Sequence, residues 1–425
     1  MKRLCLLFLA LGLVWCYRGL ATLEADGDFR NHRAWGRMFL AGDFLYHGGL
    51  NIPYTPYWAL VHAPLALLSE QAAFRVHLTL GLLALGVIVA LSVSAARQVH
   101  GLSADLSLAL AGLLLLLSSR AILRDLQDGG ANLIVIALTW SAVYCWLAQR
   151  NVSASLLLGQ AVALKCTPAL LLLYFVWRRQ WRVALLGCAA AVVFLALPLF
   201  WQGPASFGKH LQSWFTHLQG ALKSGDPRIG VLGPEEVRNL ALKPTLGRIL
   251  VEIPALELSP ASAAVAVLVF NLLLAVAVLW WGEDAQTGVT GERIYYTAAL
   301  LVLMLLISPI TWLPHCVAVL PALALTCAAV LSGSARGPVS LLLLSLTLIL
   351  LRGPMNPALV GVQISAWLQW AGATTWAIFV LLLLTLRMTP RAGAPTPFVL
   401  RCSRGAVARR VSANHAGGQR TSPAR

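Results

Sequence analysis

Runs of about twenty apolar residues, rich in leucine, alanine and valine, recur along nearly the whole of this 425-residue chain, separated by short polar segments. At about 1.5 Å per residue, such a run crosses a hydrocarbon core of about 30 Å as a helix. The pattern predicts helical spans at 4–23, 74–97, 103–119, 131–148, 153–164, 167–177, 181–200, 261–281, 294–310, 313–331, 338–352 and 366–386. A membrane barrel would need short alternating strands, which these leucine-rich runs exclude. The fifth and sixth runs are too short to cross alone, and Lys165-Cys166-Thr167-Pro168 between them carries a proline that disfavours continuous helix. A bent hairpin is expected there, its break lined by protein or water. The expectation is an all-α polytopic membrane protein of about twelve spans, some short or broken, with both termini on one side.

Composition supports the class. Hydrophobic residues make up 59% of the chain and charged residues 11%, with a mean hydropathy of +0.76, against about a quarter charged in soluble domains. Short basic loops set the orientation: Lys2 and Arg3, Arg97, Arg150, Arg178-Arg179 with Arg182, Arg336 and the tail after Arg387 share one face, which should be cytoplasmic. The long hydrophilic loops 24–73 and 201–260 then lie outside, with the segments around 120–130, 308–315 and 352–365. Lys2-Arg3 ahead of an apolar core also fits a secretory signal, but the run is long and Arg18 and Leu23 make poor cleavage surroundings, favouring an uncleaved anchor. Residues 1–387 are expected to form one transmembrane domain and 388–425 a disordered basic cytoplasmic tail. That tail holds seven arginines and no acid, a composition suited to anionic lipid, while nucleic-acid binding would lack any accompanying fold. The eight cysteines show no metal-ligand spacing and read as small apolar fillers. No metal or cofactor is implied.

The net charge of +16 brings candidate chemistry into view. Besides the tail, Arg30, Arg33, Arg37, Arg120, Arg124, Lys209, Lys223, Arg228, Arg238, Lys243 and Arg248 map to the outer face. Two readings stand: long loops escape the positive-inside rule, or the outer face binds a phosphate-bearing lipid through forked arginines and point-charge lysines. Glycine-rich phosphate loops, His-Glu-x-x-His zinc motifs and Gly-x-Ser-x-Gly elbows are absent from the sequence. Asp26-Gly27-Asp28 spells the Asp-x-Asp with which soluble glycosyltransferases hold a metal and a nucleotide sugar. Nucleotide sugars are cytoplasmic, whereas this loop should be outside; a sugar already carried across on a lipid removes the contradiction. Lys165, between two apolar half-helices, is costly to bury without a partner. Donor phosphate, Asp125 and Asp128 are its candidate partners.

A set of motifs in fixed order then resembles a known family. Asp28-Phe29-Arg30, Ala41-Gly42-Asp43 with Tyr46, Tyr54-Thr55-Pro56 and Ala63-Pro64-Leu65 are similar to the first-loop pattern of glycosyltransferase family 87, the polyprenol-phosphate-mannose-dependent mannosyltransferases. Gly129, Gly130 and Asn132 resemble its Gly-Gln-x-Asn stretch without the Gln, and Lys165 to Pro168 its Lys-x-x-Pro segment. Asn239-Leu240 through Arg248 resembles its Asn-Gln-Ser-Leu segment, lacking the Gln-Ser, and Ser308-Pro309-Ile310-Thr311-Trp312 with His315 its Ser-Pro-x-x-Trp-x-x-His segment. The resemblance covers about residues 20 to 390. It implies a type C (GT-C-like) inverting glycosyltransferase with its site at the outer face of a bacterial inner membrane. The donor would be a polyprenyl-phosphate sugar, mannose in the family, and the acceptor a glycolipid or other glycan. Asp28 matches the family's loop aspartate and is the candidate general base; Asp26 is the reserve. Lys165, His315 and Arg248 are candidates for the donor phosphate, with Tyr46, Tyr54 and Asn132 in acceptor or secondary roles. Bland readings stand beside these: a solvated or capping Asp28, a structurally paired Lys165, a packed His315. A lipid flippase or transporter and a non-catalytic assembly partner are the rival functions, although the chain shows no convincing internal repeat.

Overall fold

The computed structural model describes residues 27–46, 54–223, 236–252, 259–281, 290–335, 337–352 and 357–390, besides Leu11 and Val14. Asp26, Arg228, nearly all of the first apolar run and the tail from 391 lie outside the described residues. Among the described residues every regular element is helical.

The expected outer loop 24–73 carries two helices, α1 (Gly27–Ala41) and α2 (Pro56–Ala66). Asp28 stands in the first turn of α1, where a carboxylate complements the positive helix end. Phe29, His32, Arg33 and Gly36 recur at helical spacing and form the buried face with Trp35 and Phe39. At Gly36 a Cβ would come within 2.5 Å of the His62 carbonyl oxygen, so α1 and α2 touch through a position that only glycine fills. Pro56 opens α2, where its missing N–H costs nothing.

The long helix α3 (Glu70–His100) has 31 residues, about 46 Å at 1.5 Å per residue. Its start is capped by the Ser69 hydroxyl and its end by left-handed Gly101. Next come α4 (Ala104–Leu117) and α5 (Ser119–Asp128), bent by 59° at Ser118, then α6 (Asn132–Leu147), α7 (Asn151–Leu164) and α8 (Ala169–Trp177). The break between α7 and α8 spans Lys165–Pro168, where the proline predicted it. α9 (Trp181–Ala196) meets α10 (Leu199–Lys223) at a 90° bend. The span expected over 181–200 therefore stops at Ala196. Small residues let α7 and α9 approach closely: a Cβ on Gly159 would meet that of Ala190 at 2.5 Å.

After α11 (Leu242–Glu252), α12 (Pro260–Trp281) keeps Leu268, Leu272, Leu273 and Trp280 exposed, the pattern of a helix that faces lipid. In contrast, α13 (Thr290–Ile307) is buried along almost every side, as is the 3₁₀ helix Leu313–Val319 that leads into α14 (Leu320–Leu331). These two segments form the centre of the bundle. The chain ends with α15 (Pro338–Arg352), α16 (Pro357–Val360), α17 (Val362–Trp370) and α18 (Ala373–Arg387), with a 52° bend between the last two. Among the described residues four helices are long and apolar enough to cross a membrane, up to seven if each bent pair is one span. That measure does not confirm the twelve spans expected from the hydrophobic runs: the run at 4–23 lies outside the described residues, and several others form helices of 10–17 residues or break in the middle.

Candidate active site at the Lys165 break

Lys165 follows the last turn of α7 in extended conformation, φ −149° and ψ 125°, which swings its side chain off the helix. Its Nζ donates to Asn132 Oδ1 at 2.6 Å and lies 2.9 Å from His315 Nε2. Asn132 opens α6 after left-handed Gly129 and Ala131. Its Nδ2 donates to Asp125 Oδ1 at 2.6 Å, and the Asp125 carboxylate also accepts the backbone N–H groups of Asn132 and Leu133 at 3.2 and 2.9 Å. Asp125, only 2% exposed, thus caps α6 and holds the asparagine that holds the lysine. Of the two acidic partners weighed for Lys165, Asp125 is the one reached, through Asn132.

The third member comes from far along the chain. Asn239 Oδ1 accepts from the backbone of Thr311 and Ala241 at 2.9 and 3.2 Å, and its Nδ2 donates to the Pro309 carbonyl at 3.1 Å. This clamp fixes the turn that ends in His315, whose Nδ1 accepts from the Trp312 N–H at 3.1 Å. The 2.9 Å contact between Lys165 Nζ and His315 Nε2 is itself a hydrogen bond, its direction set by the imidazole tautomer. Lys165 and His315, with Asn132, thus converge on one spot, where the remaining ammonium N–H of Lys165 can meet an oxyanion. Beside them a recess of about 320 Å³ is lined by Asn132, Lys165, Thr167, Ser308, Thr311 and His315 with Val135, Ile136, Met304 and Leu305.

Asp28 stands exposed at the start of α1. Next to it, Phe29 packs where a Cβ on Gly129 would lie, 2.7 Å away, which seats α1 on the turn that opens α6. Tyr54 is half-buried, its desolvation pushes its hydroxyl pKa up, and the charges of Asp28, Asp125 and Asp128 push it further. Tyr46 is likewise raised by burial, and donates to the Tyr54 carbonyl at 2.9 Å. The Asp28 charge also acts on Lys165. Asp28, Tyr54, Asn132, Lys165 and His315 are thus brought to one region.

Arg248 is not. Its guanidinium is 1% exposed and donates to the Trp370 carbonyl at 2.8 Å and the Thr245 hydroxyl at 3.4 Å, closing the end of α17. Other cations expected on the outer face are paired with acids: Arg30 with Glu70 at 2.8 Å, Arg124 with Asp128 at 2.9 Å and Arg238 with Glu236 at 2.8 Å. The guanidinium of Arg238 holds the Glu236 carboxyl below its usual range. Among the described residues no group of three or more histidines, cysteines or acids is placed to hold a metal. Asp125 and Asn239 were not singled out for the site from sequence. Their signal lay in their neighbourhood: an acid seven residues before Asn132, and an asparagine in one of the matching segments.

A helical membrane bundle with a half-buried lysine and histidine and a buried asparagine converging on a polar recess, and an acid nearby, has the layout of an integral membrane enzyme. The pattern of glycosyltransferase family 87 matches residues 52–309, more than half of the chain, and the protein belongs to that family: it is a membrane glycosyltransferase. The matched segment includes Tyr54, Asn132, Lys165 and Arg248 and leaves out Asp28, Tyr46 and His315. The chain is also 30% identical, over 424 aligned positions, to a polyprenol-phosphate-mannose-dependent alpha-(1-2)-phosphatidylinositol mannoside mannosyltransferase of Mycobacterium tuberculosis, covering 91% of this chain and 92% of the relative. It is 27% identical to a similarly described enzyme of Mycolicibacterium smegmatis, covering 74% and 73% of the two chains. A phosphatidylinositol pentamannoside mannosyltransferase of the same organism is 26% identical, covering 64% and 60%.

Proposed function

We propose that the protein moves a hexose, mannose by the names of its relatives, from a polyprenyl-phosphate donor to a hydroxyl of a glycolipid acceptor, with inversion at the anomeric carbon. The observation that carries this reading is the convergence of Lys165, His315 and Asn132 on one polar recess, with the Asp28 charge acting on Lys165. The acceptor oxygen bonds to C1 while the bond from C1 to the phosphate oxygen breaks, and the phosphate leaves with the electron pair. Lys165 and His315 meet the charge that develops on that phosphate. Asp28 takes the acceptor's proton, a contribution of about 10²–10⁴-fold in rate. Asn132 and Asp125 position Lys165; Tyr46 and Tyr54 belong to the acceptor side. Arg248 serves as an anchor for α17, donating to the Trp370 carbonyl and the Thr245 hydroxyl.

The site faces the extracytoplasmic side of a multi-pass bacterial cell membrane in this reading, and residues 1–387 form the catalytic domain ahead of a basic tail. Membranes carrying Asp28→Asn should lose transfer of radiolabelled sugar from lipid donor to extracted glycolipid while protein abundance stays unchanged. Retained wild-type transfer would remove Asp28 from the mechanism. A wild-type protein that makes no glycosidic bond from any lipid-linked sugar would return the case to the flippase or assembly-partner alternatives.

A further inference from the structure

α10 leaves α9 at a bend of 90°, so it runs across the axis of that span instead of continuing it, and it packs against α2. Trp201, near its start, stacks on Phe39 of α1 at 6.2 Å. The side chain that ties α10 to the loop after α1 is His210, which is fully buried. That loop begins at left-handed Gly42, where the N–H groups of Gly42 and Asp43 bond back to Phe39 and Met38 and close α1. The N–H of buried Leu45 donates to His210 Nε2 at 3.2 Å. A backbone N–H only donates, so Nε2 is the acceptor and the ring proton sits on Nδ1, which donates to Gln202 Oε1 at 2.9 Å. Both nitrogens are thus engaged, and the ring stacks on Phe44 at 5.0 Å and 20°. Burial holds the imidazole below its ordinary pKa, which keeps Nε2 unprotonated.

The loop carries the tyrosines of the acceptor side. Tyr46 follows Leu45 directly, and its hydroxyl donates to the Tyr54 carbonyl at 2.9 Å. Tyr54 stacks on Trp58 at 4.3 Å, and Trp58 Nε1 donates at 3.1 Å to Nδ1 of His32, one helical turn past Asp28. A chain of contacts therefore runs from α10 through the loop to the start of α1.

We propose that His210 is a positioning residue for the acceptor side of the transfer: its Nε2 fixes the loop after α1, and with it Tyr46 and Tyr54 near Asp28. The proposal rests on the glycosyl-transfer reading above. A buried backbone N–H without an acceptor is costly, so a loop that loses Nε2 turns Leu45 toward water and draws Tyr46 with it. The Lys165 recess takes no lining residue from α10 or from this loop, so the groups that meet the donor phosphate stay in place.

The test uses the full-length protein in lipid nanodiscs, with radiolabelled polyprenyl-phosphate mannose as donor and a phosphatidylinositol mannoside, the acceptor in its relatives' names, as acceptor probe. His210→Phe keeps a ring to stack on Phe44 but has no acceptor, whereas His210→Gln can present its amide oxygen where Nε2 stands. His210→Phe should speed amide exchange at Leu45, read by deuterium uptake, by about tenfold, the loss of about one hydrogen bond. It should lower kcat/KM for the acceptor by about the same factor, with the KM for the donor unchanged. His210→Gln should recover most of both. If His210→Phe lowers the melting temperature, Gln202→Leu, which releases the Nδ1 proton and with it the tautomer, should move both readings the same way. Wild-type acceptor kinetics despite faster exchange at Leu45, equal losses in the Phe and Gln variants, or a matching change in donor KM overturns the proposal. Wild-type protein that transfers no sugar while Leu45 exchange follows the expected pattern removes the transfer reading, and the positioning role falls with it.

Discussion

Lys165 shows how a costly residue is made tolerable. Its ammonium sits at a helix break, donates to Asn132, and is tied through that side chain to the buried carboxylate of Asp125. Sequence alone marks Lys165 as unusual, because a lysine between apolar half-helices needs a partner. It does not say which, since Asn132 is 33 positions away and His315 is 150. Replacing Lys165 by alanine removes a charged donor worth about 1.5–3 kcal/mol, so the apparent KM for lipid-linked donor should rise by about one to two orders of magnitude. A donor titration that matches wild type would make Lys165 structural only. Asp28 was legible by its position and neighbours, whereas His210 was not. Nothing in a lone histidine of a loop helix announces that both its nitrogens are engaged, one of them by a backbone N–H 165 positions away.

At the scale of elements, the contact between α1 and α2 holds the first-loop residues over the bundle. Gly36→Ala would drive a Cβ to 2.5 Å from the His62 carbonyl, and backbone on both sides leaves little room to yield. The expected cost is about 1–3 kcal/mol, visible as a lowered melting temperature and reduced transfer together. Unaltered stability would mean that the two helices slide apart freely. His62, in α2, has its pKa lowered by burial to about 4 from 6.5. The unfolded chain takes up a proton below about pH 6.5, and the folded ring does so only near pH 4. Stability is therefore full above pH 6.5, falls as the pH drops toward 4, and levels off below that. The full loss is roughly 3 kcal/mol at about 1.4 kcal/mol per pKa unit. Melting curves between pH 7.5 and 4.5 should show the decline, and His62→Phe should flatten it; an equal slope in the variant would assign the pH sensitivity elsewhere.

Over the whole molecule, the hydrophobic runs located most helices within a few residues, since apolar patterning and proline punctuation act locally. Among the described residues the count of twelve crossings is not confirmed: bends of 90° and 52° divide the runs expected at 181–200 and 366–386. Composition also assembled a broad band of outer-face cations, of which several are neutralised by acids within the fold. What converges is smaller: one lysine, one histidine, one asparagine and the acids around them.

The sequence by itself determined the class: a leucine-rich, weakly charged chain must bury its backbone polar groups in helices within a bilayer. It also determined the helix break at Lys165-Pro168 and, through its ordered motifs, the family. Only the tertiary structure decided which distant side chains meet. Asp125, Asn239 and His32 acquire their meaning from partners 8, 72 and 26 residues away, and hydrogen bonds depend on position in space rather than on any period along the chain.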